Sequence, residues 1–393
     1  MNKISITKTD GNLGRRLPEK DMYSGLLLQG VAVSGGVQLG NVYRLESIKD
    51  AEAIGIDAAY DRDNHILVYE HINEFFRINP NGVLFLMLVA QNTSINDMLT
   101  DTANSVYKLT REAGSELRQV GVGFNPSTAF SATTVTDAIG LAQSFADWTA
   151  QTDKPAVVLL EGRGVDMNNA VDLHTKNAES VAVVIGQNLQ VANNPDNQQT
   201  DYAAIGTALG TVSKAKVNES IAWVAQFNLQ GGHFEVPGLG GQNIDQFNEG
   251  TIGGLDDKGF LFFRTYAGYA GIYWNDSYTA TALTSDYSYL ENNRTMNKSI
   301  RNVRTALLPY LASPVKVDAE TGKLSPEVVK QFEMVGKRAL EKMVSEGELS
   351  DMEIFVDPEQ DIIGTSELKV NISVIPTGTA RKISVTIGFK NPV

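Results

Sequence analysis

The segment Val83-Leu84-Phe85-Leu86-Met87-Leu88-Val89 contains only apolar residues. An uninterrupted apolar run of this length is typical of a strand that is buried on both faces of a sheet. Similar runs occur at Leu117–Phe124, Pro155–Leu160 and Ser180–Ile185, and the helical spacing of Thr134–Trp148 lies between two of them. Apolar strands that alternate with helices indicate a largely parallel sheet covered by helices. The sequence therefore predicts an α/β domain.

Further elements extend this domain on both sides. Residues 21–60 mix short apolar runs with glycines and are read as strands and loops. The remaining predicted elements are three helices at Ser94–Glu112, Asn168–Asn177 and Tyr202–Lys214, a long exposed loop at Gln230–Gly254, and a hairpin of Phe260–Tyr266 with Gly271–Trp274.

The last third of the sequence has a different pattern. A helix is predicted at Tyr289–Leu311, with Met296, Ile300, Val303, Leu307 and Leu311 on its buried stripe and Arg294, Lys298, Arg301 and Arg304 on a basic flank. A second helix begins at Ser325-Pro326 and ends at Gly347. Short strands are predicted at Val315–Asp318, Met352–Val356, Leu368–Ile375 and Lys382–Phe389. This pattern favours an α+β domain.

Both ends of the chain show the alternation of a strand. Ile4 and Ile6 lie on one side of a short N-terminal segment, and Ile383, Val385, Ile387 and Phe389 alternate near the C-terminus. Such terminal strands can pair with a neighbouring subunit or form ordinary edge strands of their own subunit. The predicted organisation is an N-terminal arm at 1–20, an α/β domain at 21–282, and an α+β domain at 283–393 that ends in a second arm.

Composition restricts the function. The 393 residues carry a formal net charge of −13 and contain no cysteine. An acidic surface is unsuited to nucleic acid, and the lack of cysteine excludes disulfides and thiolate chemistry. The first residues contain no apolar run of signal-peptide length, and no later stretch is long enough to insert in a membrane, so we expect assembly in the cytoplasm.

No motif points to catalysis. His65, His71, His174 and His233 are not spaced as zinc ligands, and we expect neither a metal nor a cofactor. Gly162-Arg163-Gly164 follows a predicted strand, as a dinucleotide fingerprint would, but the third glycine is missing. The alternative to a structural protein is an α/β enzyme, either a hydrolase or a nucleotide-dependent protein, with an unrecognised site near these glycines.

Basic residues are concentrated on the two C-terminal helices. The second helix carries Lys330, Lys337, Arg338 and Lys342 in addition to the basic flank of the first. In an acidic protein such residues can meet an acidic partner, including another copy of the chain. The equally open alternative is a solvated face with local ion pairs.

From about Tyr289 onward, the chain resembles the C-terminal domain of contractile tail sheath proteins from phages, tailocins and related injection systems. The resemblance rests on the order of Asn292-Asn293-Arg294, Leu324-Ser325-Pro326, Met343–Leu349, Met352–Asp357 and Ile375-Pro376-Thr377-Gly378. The preceding region also looks like the middle domain of that family, which is similar in outline to subtilisin without a working triad.

The resemblance implies a non-enzymatic subunit of a helical polymer. In this family, hexameric rings stack around an inner tail tube, the terminal arms add strands to the sheets of neighbouring subunits, and contraction drives the tube through a target envelope. The implied partners are other copies, the tube, and baseplate and terminator proteins. The resemblance also implies that Lys330, Lys337, Arg338 and Lys342 face the tube. A different tail or baseplate protein is a third reading.

Overall fold

A computed structural model of the chain describes residues 20–114, 116–127, 130–167, 169–196 and 198–390. The predicted N-terminal strand with Ile4 and Ile6 lies outside these residues. In the parts of the chain described, no helix is long and apolar enough to span a membrane.

A mixed sheet forms the centre of the molecule, as the apolar runs predict. Its strands among the described residues are β1 (Tyr23–Gly30), β2 (Val42–Leu45), β3 (Val83–Ala90), β4 (Gln119–Gly123), β5 (Val157–Glu161) and β6 (Val181–Val184). They lie in the order β2-β3-β1-β4-β5-β6, and β2 alone of these is antiparallel to its neighbour. The predicted α/β fold is confirmed.

Helices cover both faces of this sheet, because the strands have apolar residues on both sides. The helices of this region are α1 (Ile48–Ala53), α2 (Ala58–Asn64), α3 (Val68–Ile78), α4 (Ile95–Leu99), α5 (Val106–Glu112), α6 (Ala132–Gln151), α7 (Leu189–Ala192) and α8 (Ile205–Lys214). One apolar core contains residues of α3 and α8, and the core on the opposite face contains residues of α4, α5 and α6.

Three local predictions in this region need correction. Residues 21–60 contain helices α1 and α2 in addition to strands, and the helix predicted across Ser94–Glu112 is divided into α4 and α5. Each of the two begins after a serine, at Ser94 and Ser105. The third correction concerns the helix predicted at Asn168–Asn177. In its described part, 169–177, the helical residues are a 3-10 turn at Leu173–Thr175.

The predicted exposed loop at Gln230–Gly254 is largely folded against the body. It contains β8 (Pro237–Leu239), β9 (Gln242–Asn243) and part of α9 (Glu249–Asp256), and β8 pairs with β7 (Gln187–Asn188). Phe234 is fully buried within it. The prediction was wrong because scattered apolar side chains anchor a segment whose glycines and amides otherwise resemble a loop.

The C-terminal elements follow a predicted hairpin. That hairpin consists of β10 (Phe263–Tyr266) and β11 (Tyr269–Trp274), which pair antiparallel. After it come α10 (Leu290–Leu307), α11 (Pro326–Ser345), β12 (Leu349–Phe355), the short α12 (Ile362–Thr365) and β13 (Asn371–Pro376). β12 and β13 form an antiparallel pair whose one side packs against α11. The expected helices and paired strands are confirmed, whereas Val315–Asp318 forms only an isolated bridge at Val317.

The orientation of α10 differs from the prediction. Its fully buried residues include Arg294 and Ser299, whereas Ile300 is 46% exposed and Leu311 beyond the helix is 79% exposed. Val303 and Leu307 do pack against the C-terminal core. Helix α10 thus has apolar contacts on one side and a buried charged stripe on the other, and apolar periodicity alone reports only the first.

Candidate subunit-joining surfaces

The C-terminal segment after β13 carries an exposed apolar row. Ile383, Val385, Ile387 and Phe389 are 80%, 79%, 93% and 111% exposed. Within the described residues, 377–390 join no strand ladder, so the strand predicted at Lys382–Phe389 is not paired inside its own subunit. Large apolar side chains at this exposure are unusual on a folded subunit and mark an interaction surface. We call residues 382–390 the C-terminal arm.

Arg381 fixes the beginning of this arm, which we call its root. Its Nε donates to Oδ1 of Asp276 at 3.0 Å, and its guanidinium also bonds Glu291. The guanidinium lies over the ring of Tyr289, 3.4 Å from the centroid. Burial alone would lower the pKa of Arg381, but the two carboxylates raise it. A bond to two carboxylates together with stacking on an aromatic ring uses features that arginine has and lysine lacks.

A groove of about 760 Å³ lies beside the root of the arm. Its wall includes Trp223, Tyr266 and Tyr269, which are 46%, 38% and 54% exposed, and Ile383 reaches it from the arm. The groove therefore continues the apolar row of the arm onto the body of the molecule.

The sheet of β12 and β13 is open at its edges. In the described residues β12 pairs with β13 only, and β13 with β12 only. Phe355 and Ile375 on these strands are 51% and 55% exposed. Unpaired N–H and C=O groups along such an edge can accept a further strand from another chain.

The described chain begins beside a second ion cluster. Asp21 lies 2.8 Å from Nζ of Lys298 and 3.3 Å from a guanidinium nitrogen of Arg301. Nζ of Lys298 also contacts Glu348 at 2.6 Å. Burial alone would raise the pKa of Asp21, but Lys298 and Arg301 hold it below its usual value. Asp21, near the start of the described chain, is thus fixed to the helix α10.

The basic flank of α10 faces the sheet body and is used inside the subunit. Arg294 donates to the carbonyls of Ala215 and Lys216 at the end of α8, each at 3.0 Å. Arg301 donates to the Pro155 carbonyl at 3.1 Å, and Arg304 lies 2.7 Å from Asp153. The two alternatives considered from sequence, an acidic partner and a solvated face, are therefore wrong for Arg294, Lys298 and Arg301, because these cations pair with carbonyls and carboxylates of the same chain.

The basic residues of α11 are placed differently. Lys330, Lys337, Arg338 and Lys342 are all exposed. Lys342 has a local pair with Glu346 at 3.5 Å, and both side chains are largely in solvent. An exposed pair of this kind contributes little to stability. These side chains are available to a partner, and their contact with a tube stays a prediction.

The glycine segment of the alternative enzyme reading does not form a nucleotide cradle. The cavity lined by Gly162 and Gly164 measures about 30 Å³, whereas small-molecule sites measure about 300–1,000 Å³. A Cβ on Gly162 would lie 2.5 Å from Ile185 Cγ2 and 2.9 Å from the Val184 carbonyl oxygen. This glycine is explained by close packing of neighbouring strands.

Polar groups at the carboxyl ends of the strands are engaged in the fold. The buried Glu161 accepts the N–H groups of Phe124 at 2.5 Å and Ala203 at 2.8 Å. Arg163 donates to the Phe124 carbonyl and to Gln199. Burial raises the pKa of Glu161, and Arg163 opposes that shift. These polar groups are thus bonded to one another and to the backbone at the carboxyl ends of β4 and β5, where α/β enzymes commonly bind ligands.

The histidines have local partners or are buried. His65 and His174 each place Nδ1 near a backbone carbonyl oxygen, and burial lowers the pKa of His71 to about 3. Ligand atoms of His233, Glu70 and Glu74 lie within 4.8 Å of one another. The guanidinium of Arg77, however, contacts both Glu74 oxygens at 2.6 and 2.7 Å. Both oxygens of Glu74 are therefore already bound by a cation of the same helix.

Solved structures share this fold. The chain aligns over 99% of its length with all of a chain in the cryo-EM structure of the anti-feeding prophage baseplate, at 13% identity and a TM-score of 0.65. It aligns over 99% with 97% of a chain in the contracted PVC sheath complex of an extracellular contractile injection system, at 12% identity and 0.59. A sheath tail protein of Desulfitobacterium hafniense aligns over 96% of this chain and 100% of its own, at 12% identity and 0.52. The fold is that of contractile sheath proteins.

The sequence family is also defined. A model of the DUF2586 N-terminal domain matches residues 1–278, and a model of the DUF2586 C-terminal domain matches residues 286–393. The chain therefore belongs to the DUF2586 family. No curated protein sequence matches it.

Sequence reasoning missed the residues that anchor the two ends. Asp21, Asp276, Glu291 and Arg381 lie far apart in sequence and belong to no motif. The single local signal is a charged residue close to the start of an apolar alternation, such as Arg381 two residues before Ile383. Its partners become visible only after folding.

Proposed function

We propose that the chain is a non-enzymatic subunit of a contractile tail sheath. Copies assemble as stacked hexameric rings around an inner tube, and contraction drives the tube through a target envelope. The particle is a phage tail or phage-tail-like device assembled in the bacterial cytoplasm. The sheath fold, the two successive family-model matches at 1–278 and 286–393, and the exposed terminal row support this proposal.

The C-terminal arm is the observation that carries the proposal. Its four apolar side chains alternate and are at least 79% exposed, and it starts from a fixed root. The open sheet of β12 and β13 is a matching receptor, because an added strand would satisfy its edge groups. A neighbour's arm would pair there through its main chain and set the register through its side chains. Ile4 and Ile6 would supply the equivalent N-terminal strand.

The energetics of one such joint suit a polymer that rearranges. Burying a large apolar side chain contributes about 1.5–3 kcal/mol. Ordering each backbone residue of an arm costs about 1–2 kcal/mol. Over the nine residues of the arm the ordering cost is comparable to or larger than the gain from its four apolar side chains, so a single joint is weak. A polymer with several joints per subunit can therefore be stable and still pass between two arrangements.

The tube is the partner that we assign to α11. Lys330, Lys337, Arg338 and Lys342 present exposed cations that an acidic tube surface would attract. Replacing Lys337 and Arg338 by Gln should reduce co-sedimentation with tubes at low salt. The matched control is Lys316→Gln with Lys323→Gln, which removes the same charge from other exposed ion pairs. Equal tube binding by all three proteins would contradict this assignment. Baseplate and terminator proteins are further proposed partners at the polymer ends.

Electron microscopy tests the proposed function. The full chain should form hollow helical tubes or stacked rings, alone or after a tube is added. Chains that lack 1–14 or 382–393 should remain small particles while keeping the thermal unfolding of the full chain. Uniform small particles from the full chain, even with a tube, would refute the sheath proposal.

A second candidate is a structural component of a baseplate, because two of the similar structures are of the anti-feeding prophage baseplate. Such a protein should form closed rings that never extend into helical polymers. The same micrographs separate the two outcomes.

A further inference from the structure

We propose that α10 fixes the roots of both arms through two ion clusters, which makes Asp21, Glu291, Lys298 and Arg381 positioning residues for subunit joining. This inference rests on the proposed function for its role in the polymer, but the clusters themselves can be tested in the single subunit. Within the described chain, the residues after Arg381 are then left to change direction when neighbouring subunits move.

The C-terminal cluster lies at the first turn of α10. The side chains of Glu291 and Asp276 are 3% and 11% exposed, whereas that of Arg381 is 26% exposed. Glu291 also accepts the hydroxyl of Ser277 at 2.6 Å. Burial raises the pKa of both carboxyls, and Arg381 opposes that shift. Removing Arg381 would leave two buried acids without their cation, so the arrangement in which Arg381 binds both carboxylates is strongly favoured.

The N-terminal cluster lies two turns further along α10. The side chains of Asp21, Lys298 and Arg301 are 21%, 16% and 14% exposed. Glu348, the residue before β12, binds the same Lys298 Nζ. One lysine therefore joins the N-terminal root to the strand pair that is the proposed receptor for a neighbour's arm.

The two clusters share one stripe of the helix. Glu291 and Lys298 are seven residues apart, which is nearly two full turns and about 10 Å along the axis. The signs are opposite, so a carboxylate of α10 holds the C-terminal root and a cation of α10 holds the N-terminal root. Arg294 lies between them and ties the same stripe to the end of α8. The helix is thus a rigid connector between both roots and the sheet body.

A second connection joins the roots on the side of β12. Nδ2 of Asn218 donates to the Gly347 carbonyl at 2.9 Å and to the Thr377 hydroxyl at 3.0 Å. Gly347 directly precedes Glu348 of the N-terminal cluster, and Thr377 lies four residues before Arg381. The roots are consequently tied at two places, which distinguishes them from the exposed residues of the arm.

Nitroxide labels can measure the clusters in the unassembled subunit, because the chain contains no cysteine. A label on Thr379→Cys reports on the C-terminal root, one on Ile387→Cys reports on the arm, and one on Lys20→Cys reports on the N-terminal root. We expect slow motion at 379 and 20 and fast motion at 387. In Asp276→Asn with Glu291→Gln, label 379 should lose its slow component while label 20 keeps it. Asp21→Asn should give the reverse.

Controls separate the clusters from general effects of charge. Glu359→Gln removes one charge from the exposed pair with Lys323 and should leave all three labels unchanged. Arg381→Gln should mobilise label 379 from the arm side, and Arg381→Lys should do so in part, because lysine cannot bond and stack as arginine does. Thermal unfolding of each variant identifies any that fails to fold. If Asp276→Asn with Glu291→Gln does not fold, the motion of label 379 in the Arg381 variants tests the C-terminal cluster instead.

The outcomes separate this inference from the proposed function. Unchanged slow motion at 379 and 20 in the folded variants would overturn the inference, whether or not polymers form. If the labels respond as expected, the variants should also assemble fewer or shorter polymers than the Glu359→Gln control. Polymers of normal number and length from subunits with mobile roots would overturn the positioning role.

Discussion

The central sheet and the β12–β13 pair differ in how far their strands are buried and paired within the chain. Every residue of β1 is buried, and its neighbours β3 and β4 pair with it on both sides. No residue of β13 is fully buried, and among the described strands it has one neighbour. The strands of the body are therefore paired and buried within one chain, whereas the C-terminal sheet keeps open edges among the described residues. The contrast separates the part that stabilises the subunit from the part that we propose joins it to others.

The largest expected effect is in the body. Leu26 is fully buried in the sheet core, and replacing it by Ala should lower the free energy of unfolding by about 2–5 kcal/mol. Ile375→Ala in β13 is the matched control, because that side chain is 55% exposed and should change stability by less than about 0.5 kcal/mol. Denaturant unfolding measures both. Equal losses would remove the distinction between the two regions.

Close packing of α3 on α8 gives the next effect. A Cβ on Gly206 would lie 2.2 Å from the carbonyl oxygen of His71, so Gly206→Ala should cost about 1–3 kcal/mol. Gly140 in α6 has no atom within 4 Å of its added Cβ, and Gly140→Ala should stabilise by about 0.5–1 kcal/mol. Thermal unfolding should shift in opposite directions for the two variants. Similar shifts would show that the helices do not approach as described.

The buried His71 predicts an acid-sensitive body. Its pKa is lowered to about 3 by burial, so the unfolded chain binds a proton below about pH 6.5 that the folded chain does not. The contribution of the neutral ring to the free energy of unfolding is present above pH 6.5 and decreases as the pH falls toward 3. Between pH 7 and 5 the chain should lose about 2 kcal/mol more than His71→Gln loses. Parallel stability profiles of the two proteins would contradict burial of this histidine.

The smallest effect on the subunit is expected at the arm. Val385→Ser with Ile387→Ser alters side chains that are 79% and 93% exposed, so thermal unfolding of the single subunit should not change. Assembly should nevertheless be reduced, because the buried apolar row of each joint would be halved. A lower unfolding temperature of the unassembled variant would mean that the arm packs on its own chain.

Sequence periodicity was sufficient for the parallel strands of the central sheet because they are buried on both faces. The strands around Val83–Val89 and Ser180–Ile185 need no knowledge of their partners to be recognised. It was also sufficient for α11, which begins at Ser325-Pro326 and is followed by Gly347 with φ of 73°. These signals are local, and the fold class follows from them.

The same reasoning failed where polar groups are buried. Arg294, Lys298 and Arg301 were read as an outward flank because cations usually stay in water. Their carbonyl and carboxylate partners come from segments up to 280 residues away, as in the bond between Arg301 and Asp21. No local pattern encodes such partners. The arm was predicted as a strand, but the absence of a partner for it among the described residues required the structure.

Disulfide crosslinking between different subunits tests the central claim most directly. One preparation carries Val385→Cys, and a second carries Ser373→Cys on β13 or Glu353→Cys on β12, in a chain without other cysteines. The account predicts that mixed polymers form the mixed disulfide with at least one of the two strands, and that unassembled mixtures do not. Mixed polymers that form no such disulfide with either strand would contradict strand addition by the C-terminal arm.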